Sequence, residues 1–220
     1  MARGRIEILQ PFAVDIPATR LPAAASVVEI DAVSVGYFPD RPVLNDFSLS
    51  LQGPERVAIA GPNGSGKSTV LRLLSGHLQP WTGSVAVRTR SAMFDQTVSL
   101  LDPGMTLLDN FRRINPSTGD QAGRASLARF MFRGGSVAQQ VASLSGGQLL
   151  RAGLACVLGA PVPPSLLILD EPTNHLDVDS VETVEAGLRA YDGAMIVVSH
   201  DQSFIDAIGI SRTIALGVPS

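Results

Sequence analysis

The sequence lacks several features that would identify other classes of protein. Its 220 residues include one cysteine, Cys156, which excludes an internal disulfide framework and a cysteine-rich zinc site. Cys156 lies in an apolar run, so we expect a buried and inert thiol. No apolar stretch approaches the roughly 18 residues of a membrane span. The acidic residues Glu7 and Asp15 lie too close to the N-terminus for a secretory signal. These absences favour a soluble, cytoplasmic protein.

An excess of charge of either sign is also missing. Charged residues make up 17% of the chain and hydrophobic residues 45%, which argues against intrinsic disorder. The net charge of -3 at pH 7 does not suggest a dedicated nucleic-acid-binding protein, because such proteins are usually basic overall. At this length, one domain with a subdomain is the natural expectation.

Lysine is almost absent, because 16 of the 17 basic side chains are arginine. The single Lys67 falls in Gly61-Pro62-Asn63-Gly64-Ser65-Gly66-Lys67-Ser68-Thr69, which matches G-x-x-x-x-G-K-[ST]. An apolar strand is predicted before this motif and a helix after it, as the motif requires. Its glycines let backbone N–H groups surround phosphate oxygens. Lys67 would reach the β- and γ-phosphates, and Ser68 would bind Mg²⁺. The alternative is a glycine-rich turn without a ligand.

The order of predicted elements indicates an α/β fold. Short strands are expected at 27–30, at 33–35 and over 43–51, while residues 1–26 form an extended lead-in. Further strands are predicted before the phosphate-loop motif and at 165–169. A small helical subdomain is expected over about residues 99–150, and its Met and Phe positions should be core because their spacing is helical. Within it, residues 99–143 carry five arginines and three aspartates, so this face is locally basic.

Two further motifs carry candidate chemistry. Asp170 and Glu171 follow an apolar strand, where a carboxylate can hold a metal and its neighbour can activate a water. The local alternative is an acidic strand end leading into a turn. Ser145 and Gln148 have capping-box spacing at a helix start. The glycines between them could equally form a second anion site.

With these motifs in place, the sequence resembles the ATP-binding-cassette (ABC) ATPases over nearly all of residues 27–216. The resemblance implies a P-loop NTPase (RecA-like) core with an antiparallel β subdomain and an inserted helical subdomain. It also implies ATP and Mg²⁺ as ligands. On their own, Tyr37 would be a strand-end aromatic and His200 a neutral histidine satisfied by hydrogen bonds. The resemblance instead implies that Tyr37 stacks on adenine, that Gln96 senses Mg²⁺ and the γ-phosphate, and that Asp170 binds the metal. It also implies that Glu171 and His200 act in hydrolysis together with Lys67, and that Asp177 faces a partner cassette. The family signature is matched by Leu144-Ser145-Gly146-Gly147-Gln148.

The segment from Glu171 to Asp177, which contains Asn174-His175, resembles subfamily F of these ATPases, whose members have two cassettes in one chain and no membrane domain. The lead-in resembles the start of the second cassette of such a protein, so we expect one cassette of a longer chain. The resemblance implies a sandwich of two cassettes and a role at the ribosome or in resistance. Two alternatives are an energising subunit of a membrane transporter and a nucleotide-gated binding module with negligible turnover.

Overall fold

The computed structural model describes residues 15–174 and 176–217, and its elements are numbered here along the chain. Its strands are β1 (Ser26–Phe38), β2 (Arg41–Gln52), β3 (Arg56–Ala60), β4 (Thr82–Val87), β5 (Ser91–Phe94), β6 (Leu166–Asp170), β7 (Ala194–Val198) and β8 (Arg212–Ala215). Its α-helices are α1 (Lys67–Leu74), α2 (Leu107–Ile114), α3 (Asp120–Arg129), α4 (Gly146–Leu158), α5 (Val178–Ala190) and α6 (Gln202–Ala207). Residues 1–14 of the predicted lead-in and His175 lie outside the described residues, and 15–25 contain no helix or strand.

A parallel sheet forms the centre of the fold, in the order β5-β6-β7-β3-β8. Successive side chains of a strand point to opposite faces, so a sheet covered on both sides buries every position. In β6, Leu166 and Ile168 join one apolar core, while Leu167 and Leu169 join the other. The carboxyl ends of these parallel strands share one edge, which is where open α/β sheets bind ligands.

An antiparallel sheet of order β2-β1-β4 covers one of these cores. The predicted strands at 27–30 and 33–35 are one continuous strand, β1. The pairing of β1 with β2 shifts between Ile30 and Val33, where Ala32 has a φ of 47°. Pro42 lies inside β2 rather than between strands. It is tolerated there because β2 is at the sheet edge, where a missing backbone donor costs least.

The helices α2, α3 and α4 lie between β5 and β6 along the chain, with two short 3₁₀ turns before α4. The prediction that the Met and Phe positions here are core holds for Phe111 and Phe130, which are buried, but is wrong for Met131, which is 49% exposed. The reason is a Schellman ending of α3, in which Phe132 N donates to Leu127 O and Met131 N donates to Ala128 O. Met131 takes the left-handed position of this ending, with a φ of 71°, and its side chain leaves the helical repeat.

The locally basic stretch predicted over residues 99–143 is partly neutralised within itself. Arg112 forms ion pairs with Asp109 at 2.7 Å and with Asp120 at 2.5 Å. The hydrogen bond from Thr106, followed by that from Arg112, holds the pKa of the Asp109 carboxyl below its usual range, and Arg112 lowers the pKa of the Asp120 carboxyl. The two carboxylates raise the pKa of the Arg112 guanidinium. Among residues 15–174 and 176–217, no helix is long and apolar enough to cross a membrane.

Candidate active site

The motif at 61–69 forms the loop that connects β3 to α1 at the carboxyl edge of the parallel sheet, and its last three residues begin α1. Its glycines are needed for conformation and for space. Gly66 has a φ of 99°, and a Cβ there would lie 2.8 Å from Leu44 Cδ2. A Cβ on Gly61 would lie 2.6 Å from the carbonyl oxygen of Leu216. A left-handed backbone and close approach to neighbours both favour residues without a side chain.

Lys67 is the first residue of α1, and its ammonium folds back over the loop. Its Nζ donates to Gly61 O at 2.7 Å and to Pro62 O at 3.1 Å. The side chain is 9% exposed, so a positive charge is held in a nearly buried position beside the backbone. The buried Ser65 Oγ in the same loop has no hydrogen-bond partner within the described chain. A cationic, donor-rich loop with an unpartnered hydroxyl is chemically suited to an anion.

A cleft of about 430 Å³, here called the main cleft, opens beside this loop. It brings together residues from β1, the phosphate loop, the loop after β5 and the end of β6. Its lining residues are Tyr37, Val43, Asn63, Gly64, Gly66, Lys67, Ser68, Thr69, Gln96, Asp170, Glu171 and Val198. Ten of the predicted site residues, from Tyr37 to Glu171, therefore meet in one place, although they span more than 130 positions of the sequence.

The sequence suggested that Asp170 follows the strand, but Asp170 is the last residue of β6. Burial raises the pKa of its carboxyl, and the nearby carboxylates of Glu171 and Asp95 raise it further. Ser68 and Gln96, whose side chains each carry an oxygen atom, line the same cleft. Mg²⁺ prefers oxygen ligands, and in nucleotide sites it takes one or two carboxylates together with phosphates and water. The donor set of the main cleft fits this ion.

Glu171 holds a strained backbone at the edge of the cleft. Its φ is 49°, in the left-handed region that non-glycine residues rarely adopt. Its backbone N donates to Val198 O at 2.8 Å, which ties the residue to the end of β7. Its Oε1 lies 3.3 Å from His200 Nε2. Strain of this kind persists where the surroundings fix the residue, and it is concentrated at functional sites.

The loop that carries Gln96 is stabilised by its neighbour Asp95. The Asp95 carboxylate accepts hydrogen bonds from the backbone N atoms of Thr97 and Ser99, at 3.1 and 2.9 Å. Burial alone would raise the pKa of this carboxyl, but the hydrogen bonds from Ser99 and Thr97 outweigh it and hold the pKa below its usual value. The short turn after β5 is therefore fixed by a charged acceptor.

The signature motif lies apart from the main cleft. Ser145 Oγ accepts from Gln148 N at 3.3 Å, and Ser145 N donates to Gln148 Oε1 at 3.0 Å, which confirms the predicted capping box of α4. Gly147 packs against α5, because a Cβ at this position would lie 2.4 Å from Ser180 Oγ. Ser145, Gly147 and Gln148 do not line the main cleft. Gly146 instead lines a neighbouring cavity of about 80 Å³, which shares Gln96, Asp170 and Glu171 with the main cleft.

Asp177 and His200 also lie outside the lining of the main cleft. Asp177 caps α5, with its Oδ1 accepting from Ser180 N at 2.7 Å. The hydrogen bond from Ser180 lowers the pKa of this carboxyl. The N-terminal ends of α4 and α5, capped by Ser145 and Asp177, are thus joined through the contact of Gly147 with Ser180.

Comparison with known proteins identifies the family. The profile of the ABC transporter family matches residues 44–174, which is more than half of the chain. The chain belongs to the ABC transporter family. ABC cassettes of this family bind ATP, typically with Mg²⁺, and generally hydrolyse it.

Individual relatives of this ABC cassette agree with that assignment. The ATP-binding protein Uup of Caulobacter vibrioides is 38% identical over 202 residues, which cover 86% of this chain and 32% of Uup. The tylosin resistance ATP-binding protein TlrC of Streptomyces fradiae is 36% identical over 212 residues, which cover 91% of this chain and 37% of TlrC. The chain spans between 25% and 37% of the length of the curated relatives it matches.

The fold is that of solved ABC cassettes. The dimeric structure of MJ0796, a bacterial ABC transporter cassette, superposes with a TM-score of 0.72 at 22% identity, over 86% of this chain and 94% of that one. The predicted α/β ABC ATPase fold, with its parallel core and antiparallel sheet, is therefore confirmed.

The contacts of the Tyr37 side chain were not predicted from the sequence of the cassette. The Tyr37 hydroxyl lies 3.2 Å from Thr69 Oγ1 and accepts from Arg72 Nη1 at 3.3 Å. A signal for Arg72 was present, because it lies four residues after Ser68 and therefore on the same face of α1. The contact of Arg72 with Tyr37 could not be deduced from the sequence, since the two residues are 35 positions apart.

Proposed function

We propose that this chain is an ATPase cassette that binds Mg-ATP in the main cleft and hydrolyses it when two cassettes close on each other. The observation that carries the proposal is the convergence of Lys67, Asp170 and Glu171 on one cleft, which the phosphate loop borders. One basic and two acidic side chains would serve three distinct tasks there. Lys67 would hold phosphate oxygens, Asp170 the metal, and Glu171 the attacking water.

The chemistry divides among these residues as follows. The backbone N–H groups of the loop and the Lys67 ammonium would donate to the β- and γ-phosphate oxygens, where charge develops during transfer. Glu171 would orient a water and accept its proton, with His200 as its exposed neighbour. Bound Mg²⁺, held by Ser68, Gln96 and Asp170, would neutralise charge on the phosphates.

The position of the signature supports a requirement for two cassettes. In a symmetric pair, the signature of one chain can face the phosphate loop of the other. Ser145 and Asp177 lie at the N-terminal ends of α4 and α5, outside the main cleft of their own chain. A helix N-terminus carries a partial positive charge and is therefore suited to an anion presented by a partner. Ser145 would thus contact the nucleotide held by Lys67 of the other cassette.

A mixing experiment tests this arrangement directly. Lys67→Ala and Ser145→Arg chains should each be inactive alone, because both sites of each homodimer are damaged in the same way. In a mixed dimer, one site combines an intact phosphate loop with an intact signature. Mixing equal amounts should therefore restore about a quarter of the wild-type ATPase rate, from half the dimers with one site each. A mixture no faster than its components would overturn the sandwich.

We further propose a subfamily F role in translation or resistance, with the chain as one cassette of a two-cassette protein. Support comes from Asn174, which the sequence follows with His175, and from the similarity to TlrC, a tylosin resistance protein. The competing role, energising a membrane transporter, is favoured by the description of the family. The two roles can be distinguished by expressing the full protein and separating ribosomes from membranes by sedimentation. ATP-dependent association with ribosomes is expected, and association with a polytopic membrane protein would contradict it.

A further inference from the structure

Tyr37 is held by two residues of α1. Its hydroxyl lies 3.2 Å from Thr69 Oγ1 and 3.3 Å from Arg72 Nη1. The Arg72 guanidinium carbon is also 5.6 Å from the centre of the tyrosine ring, within the range of a cation–π contact. Thr69 and Arg72 are three residues apart and so lie on neighbouring positions of one helix face. Two side chains of the helix that begins in the phosphate loop therefore fix one aromatic ring.

The adjacent aromatic residue, Phe38, is more exposed than Tyr37. Phe38 is 70% exposed, whereas Tyr37 is 47% exposed and lines the main cleft. Phe38 has no hydroxyl, so it could not accept from Arg72 or contact Thr69. An aromatic ring at a half-exposed strand end loses conformational freedom when it is used to bind a ligand. Contacts that fix it beforehand reduce this cost.

We propose that Arg72 is a positioning residue that holds Tyr37 ready to stack on the purine base of the nucleotide. This inference rests on the proposed binding of ATP in the main cleft. Arg72 itself is exposed and does not line that cleft. It acts through the tyrosine hydroxyl and ring, while Thr69 ties the same hydroxyl to the phosphate loop. Recognition of the base is thereby linked to the helix that follows the phosphates.

A different role for Arg72 can be separated from this one. The positive charge of Arg72 also opposes the rise in the pKa of the Asp170 carboxyl. If Arg72 acted through Asp170 or on the phosphates, its removal would weaken every polyphosphate ligand. If it acts through Tyr37, only ligands that carry a base are affected. Inorganic tripolyphosphate, which has the phosphates and no base, distinguishes the two routes.

The variants are Arg72→Met, Arg72→Lys, Tyr37→Phe and the double variant Tyr37→Phe/Arg72→Met. Arg88→Met is the matched control, since Arg88 is an exposed arginine that pairs with Glu29. The dissociation constants of Mg-ATP and Mg-tripolyphosphate are measured by calorimetry. Trp81 is the single tryptophan and lies against Gly36, the residue before Tyr37. Its fluorescence gives an independent measurement of ligand binding.

Arg72→Met and Tyr37→Phe should each weaken ATP binding roughly two- to tenfold, as expected for one cation–π contact or one hydrogen bond. Tripolyphosphate binding should not change. The double variant should lose less affinity than the product of the two single losses, because both changes remove the hydrogen bond from Arg72 to the tyrosine hydroxyl. Arg72→Lys should recover part of the affinity, since an ammonium can also donate to the hydroxyl and lie over a ring. The KM for ATP should rise while kcat is retained.

Three results would overturn the proposal. Equal losses for ATP and tripolyphosphate would assign Arg72 to the phosphates or to Asp170. Fully multiplicative effects of Arg72→Met and Tyr37→Phe would show that the two residues act independently. Wild-type affinity in Arg72→Met would remove the role of Arg72 and leave the proposed function intact. A wild-type chain that bound neither ligand would instead overturn the proposed function, and the inference with it.

Discussion

Glu171 Oε1 lies 3.3 Å from His200 Nε2 at the carboxyl edge of the parallel sheet. The two residues follow neighbouring strands, β6 and β7, so the sheet itself sets their separation. The glutamate side chain is 13% exposed and the histidine side chain 60% exposed. The contact therefore joins a nearly buried carboxylate in the main cleft to a group in solvent.

Replacing Glu171 with Gln should abolish turnover while leaving ATP bound. The amide keeps the shape of the side chain but cannot accept a proton from water, so phosphate release should fall by at least about a hundredfold. ATP should then hold the chain as a dimer, which gel filtration with and without Mg-ATP detects. Glu182→Gln, an exposed position in α5, is the matched control. Turnover at the wild-type rate in Glu171→Gln would show that another group is the base.

Replacing His200 with Ala should lower kcat with little change in KM. We expect a decrease of about 10- to 100-fold, because the residue supports Glu171 rather than binding the phosphates. The double variant Glu171→Gln/His200→Ala should be no slower than Glu171→Gln alone, since residues that act as a unit are not additive. Single-turnover phosphate release measures both. Losses that multiply would mean that His200 works independently of the glutamate.

Replacing Lys67 with Arg should weaken Mg-ATP binding by about tenfold or more. The ammonium contacts two loop carbonyls, at 2.7 and 3.1 Å, in a space suited to a compact charge. A planar guanidinium is wider and cannot enter the same position, even though the charge is unchanged. Arg88→Lys, the reverse exchange at an exposed position, should leave binding unaffected. Equal affinities of wild type and Lys67→Arg, measured by calorimetry, would show that only the charge matters.

The parts of the molecule that the sequence predicts well are those with local signals. The residues of the phosphate loop are consecutive, and the capping box joins Ser145 to Gln148, three residues away. The positions that were wrong or missed depend on distant neighbours or on chain reversal. β1 is continuous because β2 and β4 pair along it, Met131 turns outward at a helix end, and Arg72 meets a residue 35 positions away.

Replacing Gly147 with Ala should destabilise the fold, apart from any role in nucleotide binding. The new Cβ would lie 2.4 Å from Ser180 Oγ and 2.7 Å from Ser180 Cβ. Overpacking of this kind lowers the free energy of unfolding by about 1–3 kcal/mol, which urea unfolding measures. Ser180→Gly should restore part of the loss. Gly135→Ala is the control, because a Cβ there meets nothing within 4 Å. Unchanged stability of Gly147→Ala would mean that α4 and α5 can separate freely.

Cys156 should not react with thiol reagents while the chain is folded. The residue is completely buried, and burial raises the pKa of its thiol to about 12, so little nucleophilic thiolate exists at neutral pH. Labelling with a chromogenic disulfide at pH 8 should be negligible in buffer and should reach one thiol per chain in concentrated urea. Rapid stoichiometric labelling of the native protein would show that α4 opens readily.

The contact between Gly147 and Ser180 has a mechanical consequence. It leaves no gap between the first turns of α4 and α5, so a tilt of one helix must carry the other with it. The two capping residues, Ser145 and Asp177, then move together as parts of one rigid body. A partner that displaced either residue would therefore displace the other as well.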